Sequence, residues 1–425
     1  MSMDSLLILV FVLAYAAITL EHQLQVNKSA PALVGAAVLW VLHAMHLGDA
    51  ALLGQQLNES LVTTAQIVFF LMGAMTIVEV VDAHHGFEVI TSRIRTPKLS
   101  SLMWLVGIVT FFMSAVLDNL TTAIVMVSLM KKLLRERQDR LFFAGIIVIA
   151  ANAGGAWSPI GDVTTTMLWI GGQVTALGIV QTLLLPSIVA ALVPLAFTAW
   201  LLKGQAVQAP ARVTGHANQG SSGLMLGLGL GILLLVPVFK TLTGLPPFMG
   251  MLLGFGLMWL VSDLMHKTKA PEDKAHLTLA HSLSRIDMAS LTFFMGILLA
   301  VAVLEHAHIL GNLATWLDTV VGRQDLIVLL IGLASAVVDN VPLVAATMGM
   351  YNLADHPPDS FLWEFIAYCA GTGGSVLIIG SAAGVAAMGL EKISFFWYLR
   401  RISGLALLGY FAGAFVYILQ FNFTH

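Results

Sequence analysis

Two stretches combine residue types that could do chemistry with surroundings that make it unusual. SAVLDNLTTAIV (114–125) and SAVVDNVPLVAA (335–346) each set an ionisable Asp beside an Asn inside an apolar segment. A carboxylate at bilayer depth costs about 2.5–3.5 kcal/mol on insertion scales, so two in corresponding positions call for a reason. Desolvation favours the protonated acid and a bound cation favours the carboxylate. Such a site holds a proton or a hard cation, seldom both. Asp118 and Asp339 are the candidate exchange groups. Asn119 and Asn340 can lend amide oxygens, and Ser114, Ser335, Thr121 and Thr122 hydroxyls, to a Na+ held between the two Asp-Asn pairs.

Downstream of each stretch lies a second irregular one. NAGGAWSPIGDVTT (152–165) and GTGGSVLIIGS (371–381) interrupt apolar runs with Gly and Pro, which break the helical hydrogen-bond ladder and free carbonyls and helix ends that can coordinate a cation. Asn152, Ser158, Asp162, Thr164 and Thr165 are the candidate ligands in the first, and Gly374, Ser375 and Ser381 in the second. Plainer readings exist for the same residues. Asp118 and Asp339 could simply cap half-helices at turns, and Asp162 is a natural N-cap for VTTTMLW, since its counterpart is Ser381. Glu79, Glu305 and Glu364 read as interfacial residues near span ends. Asp82, His84 and His85 read as a solvated loop or a pH sensor. His306 and His308 point to different helix faces and make no metal pair. The single cysteine, Cys369, excludes a disulfide framework, and nothing in the sequence calls for a cofactor.

The positioning elements follow from composition. Of 425 residues 58% are hydrophobic and 10% charged, with a mean hydropathy of +0.90, whereas a soluble globular chain carries roughly 25% charged residues. The chain reads as an all-α polytopic membrane protein whose partner is the lipid bilayer, not nucleic acid. Apolar runs near 5–20, 31–47, 64–81, 175–202, 223–239, 246–265, 288–304 and 402–421 can each span the membrane, with longer composite segments at 141–174 and 361–390. The first run lacks a basic leader and reads as a retained helix.

Charge placement organises these runs. Arg93, Arg95 and Lys98 precede the stretch 101–130, and Lys131, Lys132, Arg135, Arg137 and Arg140 follow it. A single crossing would put one basic cluster outside, against the usual positive-inside bias. A re-entrant hairpin turning near Asp118-Asn119 keeps both clusters inside. The stretch 326–350 has only Arg323 nearby and an acidic exit loop, so its hairpin enters from outside. Asp118 aligns with Asp339 at an offset of 221, Gly73 with Gly296 at 223, and 152–162 with 371–381 at 219. The expectation is two inverted-topology repeats, 1–204 and 223–425, each with about five spans, one hairpin and a midplane broken helix, joined by a cytoplasmic linker at 205–222. This topology puts every Lys and Arg except Lys240 and Arg323 inside and no base within a span.

On these residues the chain resembles the NhaD-type sodium/proton antiporters, of the ion transporter superfamily that also holds arsenite permeases and dicarboxylate carriers. The paired SAVxDN hairpins, NAGGAWSPIGDVTT and the inverted halves carry the resemblance over nearly the whole chain. It implies a scaffold and a transport domain, a homodimer, an elevator-like cycle and Na+ (with Li+) exchanged for H+ in a bacterial inner membrane. Pro342 stands where the first tip has Thr121, so no equivalent hydroxyl is assigned there. The alternatives are an arsenite or organic-anion transporter of the same superfamily, and an intramembrane aspartyl protease. The second is disfavoured because the two Asp residues are approached from opposite sides.

Overall fold

The computed structural model describes residues 2–94, 96–206, 219–267 and 277–424. Most of the expected linker lies outside the described residues. In chain order the helices are α1 (Met3–Thr19), α2 (Glu21–Leu24), α3 (Ser29–Leu47), α4 (Ala50–Ala83), α5 (Glu88–Thr91), α6 (Leu99–Leu117), α7 (Asn119–Leu133), α8 (Arg137–Ala156), α9 (Val163–Ile170), α10 (Ala176–Leu201), α11 (Gln219–Thr243) and α12 (Pro247–Met265). They continue as α13 (Leu279–Arg285), α14 (Met288–His306), α15 (Ile309–Val320), α16 (Gln324–Ala334), α17 (Asn340–Met350), α18 (Phe361–Gly373), α19 (Ala382–Glu391), α20 (Phe395–Arg401) and α21 (Ser403–Thr424).

Among the described residues nine helices are long and apolar enough to cross a bilayer: α3, α4, α6, α8, α10, α11, α12, α14 and α21. The protein is an all-α polytopic membrane protein. The two composite segments split as their Gly and Pro content requires: α8 ends at Ala156 and α9 begins at Val163, while α18 ends at Gly373 and α19 begins at Ala382. The upstream halves, α8 and α18, are buried along most of their length and form the centre of the bundle.

The contacts fix which helix ends lie together. Gln420 donates to the Thr182 carbonyl (3.1 Å), and Gly413 and Gly409 pack on Pro186 and Ala190, so α10 and α21 run antiparallel and Leu201 shares an end with Ser403. Lys98 bridges to Ala206 and Gly145 packs on Ile402, which brings the starts of α6 and α8 to that same end. Because α7 finishes three residues before α8 starts, α6 and α7 form a hairpin with Asp118 at its tip. At the other end of the bundle, Asp359 accepts from the Thr175 backbone (2.6 Å), the side chain of Met348 lies against Gly171, and Tyr351 donates to Asp318 (3.3 Å). There α16 begins and α17 ends.

Close backbone approach holds each hairpin on its central helix, and it recurs. A Cβ on Gly154 would collide with the Phe111 carbonyl oxygen, and one on Gly373 with that of Gly332. Ser114 donates to the Ala151 carbonyl (2.6 Å) and Ser335 to that of Ala370 (3.2 Å). Each pair differs by the sequence offsets of 219 and 221, so the same helix crossing is built twice. Only glycine lets the two backbones come that near.

Candidate functional site

The two hairpin tips and the two helix breaks converge on Asp162. Asn119 donates from Nδ2 to Asp162 Oδ2 (3.0 Å), and Asn340, from the other hairpin, donates to the same oxygen (3.4 Å). Asn119 also donates to Asn152 Oδ1 (3.0 Å), and Asn152 Nδ2 donates in turn to Ser375 and Ser381, both at 2.9 Å. All six side chains are buried, Asn152 completely. A single polar network thus ties four irregular segments, from Asn119 to Ser381 in sequence, inside an otherwise apolar bundle.

Local structure explains why each member points inward. Asp162 sits just before α9 in an extended conformation and its Oδ1 accepts the Thr164 N–H (3.2 Å), so the N-cap geometry leaves Oδ2 free for the amides. Ser381 does the same at α19, accepting from Gly384 N. Capping and site membership are therefore not alternatives for Asp162. Its hydrogen-bond partners are neutral, and among the described residues no basic side chain pairs with it.

The tip carboxylates differ from it and from each other. Asp118 adopts φ 86°, a region costly for a residue with a Cβ, and folds over its own helix: Oδ1 accepts from Thr121 N (2.7 Å) and Oδ2 from Thr121 Oγ1 (3.0 Å). It lines a mostly apolar cavity with Phe70, Met75, Asn119, Met251 and Phe294. Asp339 caps α17 through Val341 N (3.2 Å) and its Oδ2 lies 2.7 Å from the Lys28 ammonium. Burial draws that ammonium down, yet Asp339, with Glu21 and Asp287, holds it above the ordinary lysine range.

The remaining candidates form the supporting shell. Ser114 and Ser335 bond carbonyls of α8 and α18, as above. Ser158 donates to Ala115 O (2.5 Å) and Thr165 to Asp162 O (2.9 Å). Among the described residues Thr122 is fully buried with no partner for its hydroxyl and Thr121 serves Asp118 alone, while Gly374 packs against Gly380 O.

Three features differ from the expectations. The expectation of no base within a span fails, since α11 carries Lys240 and α8 carries Arg137 and Arg140; Lys28, in the loop before α3, reaches a hairpin tip, and no periodicity signals this, because its partner is 311 residues away. Glu364, in the first turn of α18 at the end expected, is buried rather than exposed and accepts from Tyr417 (3.0 Å). His84 is not in a solvated loop; it is buried, with its Nε2 2.7 Å from that of His266.

Similarity to known proteins identifies the family. Residues 9–365 match the family described as "Citrate transporter". The chain is 50% identical over 422 residues to "Sodium/proton antiporter 1" of Arabidopsis thaliana, covering 99% of this chain and 73% of that protein. It is 46% identical to "Sodium/proton antiporter 2" of the same plant, over 98% and 99% of the two chains. It is 31% identical to "Na(+)/H(+) antiporter NhaD" of Vibrio cholerae, over 97% and 91%. The chain therefore belongs to the citrate transporter family of membrane transporters and, within it, to the NhaD-type sodium/proton antiporters.

Proposed function

We propose that the protein exchanges Na+, and Li+ with it, for H+ by alternating access, with Asp162 as the central exchange group. The observation that carries this reading is a buried carboxylate whose partners are neutral amides from both hairpins. An amide is ambivalent: rotated by half a turn, Asn119 or Asn340 presents an acceptor oxygen instead of a donor. The same residues that donate to an ion-free carboxylate can thus turn oxygens toward a hard cation beside it. Na+ and H+ compete for Asp162, and the competition is the exchange.

Asp118 supplies the second uncompensated carboxylate, at the cavity wall, and Asn152, Ser375 and Ser381 hold the amides in register. Na+ then lies among Asp162, Asp118 and the Asn119 and Asn340 amides. The two halves, 1–204 and 223–425, act as inverted repeats with cytoplasmic basic loops, and the hairpins with α8, α9, α18 and α19 form the part that moves, in a homodimer. We place the protein in a bacterial cytoplasmic membrane; a plant relative at 50% identity extends the reading to other membranes that carry a proton or sodium gradient. Organic-anion transport is the weaker reading. The base at a tip, Lys28, is already neutralised by Asp339, which leaves no positive charge for a carboxylate ligand. Proton movement driven by Na+ in proteoliposomes, absent with citrate or arsenite, tests the reading.

A further inference from the structure

We propose that Lys28 is a tethered counter-cation: in this conformation its ammonium holds Asp339 in the place a transported cation would take, and the pair separates as the hairpin tip moves. This rests on the cation/proton exchange proposed above.

The two tips are equivalent in sequence but not in chemistry. Both aspartates use Oδ1 to cap the helix that follows, Asp118 on Thr121 N and Asp339 on Val341 N. Their second oxygens diverge. Asp118 Oδ2 takes the Thr121 hydroxyl, whereas the position equivalent to Thr121 is Pro342, and Asp339 Oδ2 takes Lys28 Nζ. Lys28 thus fills the place of the hydroxyl that the second tip lacks, and does so with a charge. An ammonium is a compact, strongly hydrated point cation, closer to an alkali ion than a guanidinium would be.

The surroundings suit an exchangeable contact. The Lys28 side chain is 25% exposed and that of Asp339 17%, so the pair is not sealed inside the protein. The ammonium also lies over the Phe293 ring, 4.3 Å from its centroid, and its own backbone N–H donates to Glu21 (3.3 Å). Ser29 donates to the Ala289 carbonyl (2.6 Å). Lys28 is therefore fixed to the starts of α3 and α14, whereas Asp339 travels with α16 and α17. Any displacement of the second hairpin along α3 and α14 must break this pair. Among the described residues the buried Tyr15 hydroxyl has no hydrogen-bond partner, and it lies near enough to Asp339 to feel its charge.

The consequence is functional asymmetry. Of the three carboxylates, Asp118 and Asp162 are left for transported ions, and Asp339 becomes the catch that holds this conformation until a cation or proton replaces the ammonium.

Acylation of Lys28 by a small amine reagent, followed by mass spectrometry on the unmodified sequence, reads the contact directly. Saturating Na+ should accelerate labelling of Lys28 several-fold over choline, with the exposed Lys98 unchanged. Labelling of Lys28 that ignores Na+ in protein that exchanges Na+ for H+ normally would overturn the inference while leaving the exchange reading intact. In proteoliposomes Lys28→Gln should lower the apparent Na+ KM several-fold by removing the competitor, and Lys28→Arg should return it toward the original value. A merely structural lysine would instead give a lower maximal rate at unchanged KM in Lys28→Gln. Should Lys28→Gln fail to fold, Lys28→Gln/Asp339→Asn removes both charges, and its recovery as folded protein would support the pairing; the labelling result decides the catch in either case.

Discussion

Asn119 in the first hairpin and Asp162 at the helix break behind it are joined by a 3.0 Å hydrogen bond, and through it the α7 tip is tied to the start of α9. Removing the charge at Asp162 while keeping its shape tests what that bond serves. Asp162→Asn should fold, because an asparagine still caps α9, and should abolish Na+-dependent proton movement. Near-normal exchange in well-expressed protein would reduce Asp162 to a cap.

Asp118→Asn should be less damaging to folding than its position suggests, since an amide oxygen can still accept from Thr121 N. It should weaken Na+ binding and remove one proton from the cycle. Comparing current per Na+ in this variant and the parent measures that: a voltage dependence that survives unchanged would place Asp118 outside the exchange.

The aspartates also show how far the sequence could be read. The membrane class and the helix breaks were legible, because each follows from local composition: long apolar runs, and Gly or Pro inside some of them. The helix pairs α6–α7 and α16–α17, 99–133 and 324–350, lie within a few residues of the stretches expected as re-entrant hairpins, whose re-entrant course is a matter for labelling. The place of Asp162 at the meeting of the two tip amides was not legible. Asp118 and Asp339 stand out because they repeat, and Asp162 recedes because its counterpart is Ser381. Yet its place in the network depends on where the chain brings Asn119, Asn340 and Asn152, and those contacts span up to 229 residues. Lys28 was hidden for the same reason.

Glycine packing gives a test independent of transport. Gly154→Ala and Gly373→Ala each drive a methyl into a carbonyl of the neighbouring hairpin helix. Each should lower stability in detergent by about 1–3 kcal/mol, the usual cost of overpacking, measured as a reduced thermal midpoint. Gly231→Ala, whose Cβ meets nothing within 4 Å, is the control and should be neutral. Equal midpoints for all three would mean that the two crossings are looser than described.

Sidedness can be read by labelling. In a Cys369→Ser background, Lys98→Cys and Arg135→Cys should both react with an impermeant reagent from the cytoplasmic face, and Gln324→Cys and Pro357→Cys from the opposite one. Reaction of positions 98 and 135 from opposite faces would make 99–133 a crossing segment and remove the inverted arrangement.

The central claim is competition between Na+ and H+ for one set of buried oxygens, and the apparent Na+ KM as a function of pH tests it most directly. Purified protein in proteoliposomes, with the membrane potential clamped at zero, should move protons when Na+ or Li+ is added. Protonation of the free site blocks the cation, so KM should rise as pH falls, by about tenfold per pH unit for each competing proton. A Na+ KM that stays constant across pH would contradict the account, because the two ions would then not share Asp162 at all.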